Sequence, residues 1–338
     1  MTLDIVELKR KIIVAPKSSS ELFEKAVREC KKAPNPGIKN RLEKIKRKNI
    51  DCINRSLQFL RRKLTQIYAR SPYIDKLHPF YRELAYLLID TDEYKLCMSR
   101  LRSSQRIIEK IARESIHGIR LAQTERDVIK AKKMFFGRTF SVLNTLDKCF
   151  KIVRNSQLEI LRFPEVNVND TTVVIAGAPN VGKSSLLKAI SRAKPEIKPY
   201  PFTTKNVIIG HIISGDKRIQ LIDTPGLLDT PLSEKNRIET QAILAMKHLA
   251  SLILFIVDPT ETCGFPLDFQ KRVHDEIAEN FKEINLYVVL NKGDLMTQEH
   301  YKNYLEIFGK EPYEIVSALK GTNIDRLKLK LLGEIQQL

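Results

Sequence analysis

Residues 177–184 read GAPNVGKS, and their types and spacing fit GxxxxGK[ST], a loop able to wrap phosphate groups. Gly177 and Gly182 let the backbone curl its amides toward phosphate oxygens, helped by the N-terminus of a following helix. Ala178, Pro179, Asn180, Val181, Gly182, Lys183, Ser184 and Ser185 are the residues expected to line those phosphates. Lys183 would neutralise β- and γ-phosphate charge, and Ser184 would ligate Mg2+. The flanking sequence suits the loop, because TTVVIA before it is strand-like and SLLKAI after it is helix-like. Such a loop by itself leaves ATP and GTP open.

Base choice comes from NKGD at residues 291–294, which follows the strand-like run INLYVVL. The Asp294 carboxylate can accept from the two donors that guanine presents at N1 and N2. Adenine lacks that pattern, so it would leave a buried charge without partners. Asn291 would brace the loop and N7, and Lys292 would lie along the base. Further on, SALKG at 317–321 places Ser317, Ala318 and Leu319 at the base, with the Ala318 amide toward O6.

Between these segments lie residues that could sense a γ-phosphate. The run RIQLID leads into DTPG at 223–226, where Asp223 would hold Mg2+ through water and the Gly226 amide would contact γ-phosphate. PFTTK at 201–205 offers the hydroxyl of Thr204, with Thr203 as the alternative, to the same ion. Lys183, Thr204 and Gly226 are therefore the expected catalytic set. Leu227 stands where many GTPases carry a water-orienting Gln, so slow intrinsic hydrolysis is expected. Asn180 leaves two readings open: GTPases that this loop resembles often pair an Asn here with a K+ ion near the phosphates, and simple tolerance of the turn is the alternative.

These loops need a scaffold, and the composition describes one. The chain has 338 residues, 43% of them hydrophobic and 29% charged, which fits two folded domains and excludes wholesale disorder. Its longest apolar runs fall far short of the roughly 20 residues of a membrane-spanning helix. The N-terminus reads as a helix and not as a secretory signal, so a cytoplasmic address is expected. Five scattered cysteines without CxxC spacing suggest reduced, buried thiols. His211, His248 and His274 form no ligand pattern.

Charge is distributed unevenly. Residues 1–170 carry 37 Lys and Arg against 20 Asp and Glu, whereas residues 171–338 carry 21 against 20, and the two surpluses make up the net +18. A basic half suits a polyanion such as RNA, with a merely solvated surface as the bland alternative. The densest run is KNRLEKIKRK at 39–48, joined by Arg61, Arg62 and Lys63. In the same half, Ile53, Leu57, Leu60, Leu64 and Ile67 recur at helical spacing. Helices are expected over 3–14, 19–33, 75–90, 92–116, 120–135 and 138–161, with Ser20 or Thr91 as caps and breaks or bends near Gly118 and Gly137. The expected fold is an α/β P-loop GTPase domain, a mostly parallel sheet flanked by helices with one antiparallel edge, preceded by an all-α helical bundle. The domains would be 1–162, basic bundle; 163–170, connector; and 171–338, GTPase domain.

With these elements in order, the chain resembles the translation-factor-like GTPases and, through NVGKSSLL and YPFTTKNVIIGHI, their Obg-related branch. The run IDTPGLLDTPLSEKNRIETQAILAMKHLASLILFIVDPTETCG at 222–264 makes it most similar to the Nog1 family. That resemblance implies GTP hydrolysis and a part in assembly of the large ribosomal subunit, with ribosomal RNA or a subunit precursor as partner. The chain stops soon after the GTPase domain, so a compact archaeal-type form without the long C-terminal extension is expected. Two rivals stand beside this reading: an Obg-type signalling or stress GTPase working through protein partners, and a GTP-binding placeholder with negligible turnover.

Overall fold

The computed structural model describes residues 5–191, 195–199, 206–214 and 217–334. Packing divides the chain into two compact units, one formed by Glu7–Ile74 and Leu88–Leu161, the other by Met1–Val6, Asp75–Leu87 and Arg162–Leu338. The segment Asp75–Leu87 thus packs with the nucleotide loops' unit, although in sequence it lies among the helices of the basic half.

The helices of the first half are α1 (Ile5–Lys11), α2 (Ser19–Lys31), α3 (Arg41–Ala69), α4 (Pro79–Leu88), α5 (Thr91–Leu121), α6 (Glu125–Thr145) and α7 (Asp147–Leu161). The stripe of α3 is buried at Ile53, Leu60, Leu64 and Ile67, each at most 2% exposed, while Leu57 packs at the margin of the same core. Its cations turn outward, with Arg41, Lys44, Arg47, Lys48, Arg61 and Arg62 exposed. This is bundle packing with a basic outer surface.

Helix ends differ in detail from expectation. The caps are Ser18 and Asp90, whose side chains accept the amides of Glu21 and Glu93, so Ser20 and Thr91 already lie inside their helices. Both α5 and α6 run through their glycines. A Cβ on Gly118 would meet Ala131 Cβ at 3.7 Å, an ordinary contact, and one on Gly137 would meet nothing. Packing carries a helix over a single glycine worth ~1 kcal/mol of propensity. The real break is at Thr124, which forms a reciprocal capping box with Asp127.

Four cysteines depart from the reduced state expected. Cys30 is bonded to Cys52 and Cys97 to Cys149, tying α2 to α3 and α5 to α7. Scatter along the chain is not scatter in space, because packed helices bring these pairs to Cα separations of 4.1 and 5.0 Å. Cys263 is free and buried.

The other unit contains β1 (Thr171–Ala176), α8 (Lys183–Ile190), β2 (Glu196–Pro199), β3 (Asn206–Ser214), β4 (Lys217–Asp223), α9 (Arg237–Leu244), β5 (Ala250–Val257), α10 (Leu267–Asn280), β6 (Asn285–Leu290), α11 (Gln298–Phe308), β7 (Glu314–Ile315) and α12 (Ile324–Glu334). Its seven-stranded sheet has the order β2-β3-β4-β1-β5-β6-β7. Strands β2 and β3 pair antiparallel at one edge and every pairing from β4 to β7 is parallel. Near-continuous apolar runs such as LILFIV suit strands covered on both faces. The mostly parallel sheet flanked by helices, with its antiparallel edge, is as the sequence leads one to expect.

The segment before β1 is anchored. The Tyr81 hydroxyl lies 2.9 Å from both Pro164 O and Val166 O, accepts the Val166 amide, and its ring stacks on Phe163. Gln220 of β4 then exchanges hydrogen bonds with the Asn167 backbone. All of these groups belong to one unit, so they fix how the chain enters β1.

Candidate functional site

Parallel strands bring their carboxyl ends to one edge of the sheet, where ligands of such folds sit. There β1 ends at Ala176 and Gly177 turns the chain at φ 139°. A Cβ on Gly177 would lie 2.3 Å from Ile256 O, and one on Gly182 would lie 2.2 Å from Asn291 Nδ2. Both positions require glycine on space as well as on backbone angle. Gly182 enters α8 with φ 99° and no side-chain cap, so the first amides of that helix are left for an anion. Lys183 Nζ reaches back across the loop and donates to Gly177 O and Ala178 O, both at 2.8 Å. Burial pushes its ammonium below the usual lysine range, while the nearby Asp229 and Asp223 carboxylates oppose that.

Ser184 and Asp223 meet beside it. Ser184 Oγ donates to Asp223 Oδ2 at 2.5 Å, and Asp223 is wholly buried at the end of β4. Burial raises its carboxyl above the usual range, and Oδ1 is buried without a hydrogen-bond partner. A hydroxyl and a carboxylate oxygen in want of a partner fit Mg2+, which takes few protein ligands and completes its shell with water and phosphate oxygens. Among the described residues no group of three or more His, Cys, Asp or Glu side chains is arranged to hold a metal. Thr203 and Thr204 lie outside the described residues.

On the base side, Asn291 ties three loops together. Its Nδ2 donates to Val181 O at 2.8 Å and its Oδ1 accepts the Ala318 amide at 3.0 Å. Asp294 Oδ1 accepts from Ser317 Oγ at 2.6 Å, and Ser317 Oγ accepts the Lys320 amide. Leu319 is 84% exposed at the rim. Asn180, at φ 60°, donates to Cys263 O at 3.4 Å. Pro179 and Ser185 belong to the same stretch as the residues already placed. The expected loops therefore converge at one end of the sheet, from β1, β4, β6 and β7.

In the DTPG segment Gly226 has φ 76°, and its amide donates to Asp229 Oδ2 at 2.6 Å. Leu227 points inward and is 1% exposed, so its side chain joins the core and does not face a phosphate.

The sequence reading passed over three residues. Asp258, 0% exposed at the end of β5, accepts from Thr260, Thr262 and the Cys263 amide and lies 2.7 Å from Lys292 Nζ. Gln270 of α10 closes this loop by accepting the Asp258 amide and donating to Asp258 O and Phe265 O. Asp229 is the third. A lone acid ending an apolar run and followed by threonines is a signal for a loop organised around a carboxylate.

Residues 10–167 match a family model described as the NOG1 N-terminal helical domain, and residues 172–292 match one described as a 50S ribosome-binding GTPase. A nucleolar GTP-binding protein 1 of Encephalitozoon cuniculi is 33% identical over 269 residues, 79% of this chain and 51% of that one. An uncharacterized protein of Methanocaldococcus jannaschii is 40% identical over 71% of this chain and 67% of its own length. A solved structure of a nucleolar GTP-binding protein 1 from Plasmodium falciparum is 30% identical, covering 52% of this chain and 92% of that one, with a TM-score of 0.44. The chain spans about half the length of the Encephalitozoon relative and about a third of that from Drosophila melanogaster. The helical match and the GTPase match follow each other along the chain, and the chain belongs to the Nog1 family of GTP-binding proteins.

Proposed function

We propose that the chain binds GTP across the loops joined by Asn291, hydrolyses it slowly to GDP and phosphate, and uses the two states to control a role in large-subunit assembly. The observation that carries this reading is the pair of hydrogen bonds made by Asn291, one donated to Val181 O and one accepted from the Ala318 amide, which couples the phosphate loop to both base loops. Lys183 and the backbone N–H groups of the loop from Asn180 to Ser185 hold the phosphates. Ser184, with Asp223 through water and Thr204 directly, would hold Mg2+, which the GTPase family uses. That ion supplies charge stabilisation at the β- and γ-phosphate oxygens. Asp294, positioned by Ser317, accepts from the guanine N1 and N2 donors, and Lys292 lies along the base. A water attacks the γ-phosphorus, the bond to the bridging oxygen breaks, and GDP leaves with phosphate.

Leu227 lies in the core, so this chain offers no side chain there to align the water. Slow intrinsic turnover follows, and it also favours the second reading, a placeholder that binds GTP and scarcely cleaves it. Single-turnover assays with and without large-subunit precursors separate the two, since acceleration by the precursor supports the assembly GTPase. A K+ ion beside Asn180 is the remaining cofactor proposal, and equal turnover in K+ and Na+ would end it.

RNA contact by the basic helical unit completes the proposal. The exposed cations of α3, Arg41, Lys44, Arg47 and Lys48 among them, support it by offering positive charge along one helix. The names of the relatives, which place them in the nucleolus, agree with a ribosomal role. Salt-dependent binding to large-subunit particles, stronger in one nucleotide state, tests it. No dependence on salt or nucleotide would favour the Obg-type signalling rival. Among the described residues no helix is long and apolar enough to cross a membrane, and a cytoplasmic address remains part of the proposal.

A further inference from the structure

The Gly226 amide is the donor assigned to γ-phosphate, yet in the structure it already has an anionic acceptor. Asp229 Oδ2 accepts it at 2.6 Å, the short range of a charge-assisted bond. Neighbouring contacts hold this turn in place. Leu227 N donates to Thr224 O, Gly177 N donates to Leu228 O, and Lys235 Nζ grips Gly226 O at 3.1 Å and Thr230 Oγ1 at 2.8 Å. The Asp229 carboxylate is 9% exposed and acts electrostatically on both Lys183 and Asp223. It therefore sits within the field where the terminal phosphates of a nucleotide would bring their charge.

We propose that Asp229 is a specificity-determining residue of the nucleotide switch, a carboxylate that competes with γ-phosphate for the Gly226 amide. The inference rests on the guanine-nucleotide reading above and adds how di- and triphosphate are told apart. One N–H cannot serve two anions fully. A triphosphate must displace Asp229 and bring further negative charge beside Asp223 and Asp229. A diphosphate has no group to place there and leaves the turn intact. Asp229 thus penalises GTP selectively, and its release is the step that couples γ-phosphate to the segment from Thr224 to Lys235. A carboxylate that only closed the turn would affect both nucleotides alike.

The test compares β,γ-imido-GTP and GDP by calorimetry in the presence of Mg2+, on the unsubstituted chain, Asp229→Asn and Asp229→Ala. Asn keeps the shape and an oxygen acceptor but removes the charge. Both variants are expected to raise the ratio of imido-GTP to GDP affinity on the order of tenfold, mainly through tighter imido-GTP binding. An unchanged or lower ratio overturns the inference. The chemical shift of the Asp229 carboxyl carbon in the unsubstituted chain reads the same displacement without a mutation. It should differ between imido-GTP and GDP, since only GDP leaves the bond from the Gly226 amide in place, and identical shifts overturn the inference even if both variants fail to fold. Absence of all guanine-nucleotide binding by the unsubstituted chain would instead overturn the reading of the site, a result distinct from binding with an unaltered ratio.

Discussion

Lys292 Nζ lies 2.7 Å from Asp258 Oδ2, an ion pair that joins the loop after β6 to the loop after β5. The carboxylate is wholly buried and accepts from Thr260, Thr262 and Cys263 as well. Lys292 has φ 59°, and this pair helps hold a non-glycine residue in a backbone region it rarely adopts.

Asp258→Asn should therefore lower stability near neutral pH by about 1–2 kcal/mol, since it removes the buried charged acceptor of Thr260, Thr262 and the Cys263 amide and takes the ion-pair partner from the partly exposed Lys292. Burial pushes the Asp258 carboxyl up, but hydrogen bonds from Lys292 and Thr260 outweigh that and hold it below the ordinary range. A depressed carboxyl contributes stability above its unfolded pKa, and that contribution disappears as pH falls through the folded value. The gap in thermal stability between the two proteins should narrow below about pH 4. A constant gap down to pH 3 would contradict the ionised pair.

Asp294→Asn should move base preference from GTP toward xanthosine triphosphate, because an amide offers a donor to the xanthine 2-oxygen where the carboxylate offered an acceptor to the guanine amine. Competition binding reads this directly. Ser317→Ala should weaken GTP binding several-fold without altering preference, since Ser317 Oγ orients the carboxylate and braces the Lys320 amide. Retained GTP selectivity in Asp294→Asn would remove the base-reading assignment.

The two disulfides predict one titratable thiol in the denatured, unreduced chain, Cys263, and five after reduction. Reduction should lower the stability of the helical unit by about 2–4 kcal/mol per bridge, read as a fall in melting temperature. Five thiols before reduction would contradict the pairing.

Replacing Lys44, Arg47 and Lys48 together with Ala should reduce the slope of log binding constant against log salt by about 2–3 for duplex RNA, if each meets one phosphate. Filter binding over a salt series measures it. An unaltered slope would move the RNA contact off this part of α3.

How much was legible in the sequence follows from the range of the interactions. The phosphate loop could be read because part of its work is local: Gly177 and Gly182 adopt positive backbone angles, although the close approach of Ile256 O and Asn291 Nδ2 appears only in the fold. The stripe of α3 was legible for a similar reason, since spacing alone decides which face is buried. Asp258 was not, because its role depends on Lys292, which is 34 positions away and is brought close only by neighbouring parallel strands. Cys97 and Cys149 meet only after α5 and α7 have packed. Gly118 and Gly137 misled in the opposite sense, being local helix weakeners overruled by tertiary contact. Asp229 escaped because an acid three residues beyond DTPG looks like solvated surface until its bond to Gly226 is seen.

The central claim is that one site reads guanine through Asp294 while Lys183 and its loop hold the phosphates. Calorimetry with GTP, GDP and ATP on the Mg2+-supplied chain tests it most directly. The account predicts saturable binding of GTP and GDP at one site per chain, with ATP at least a hundredfold weaker, on the order of the discrimination that buried polar contacts give. Binding of ATP as tight as that of GTP would contradict it.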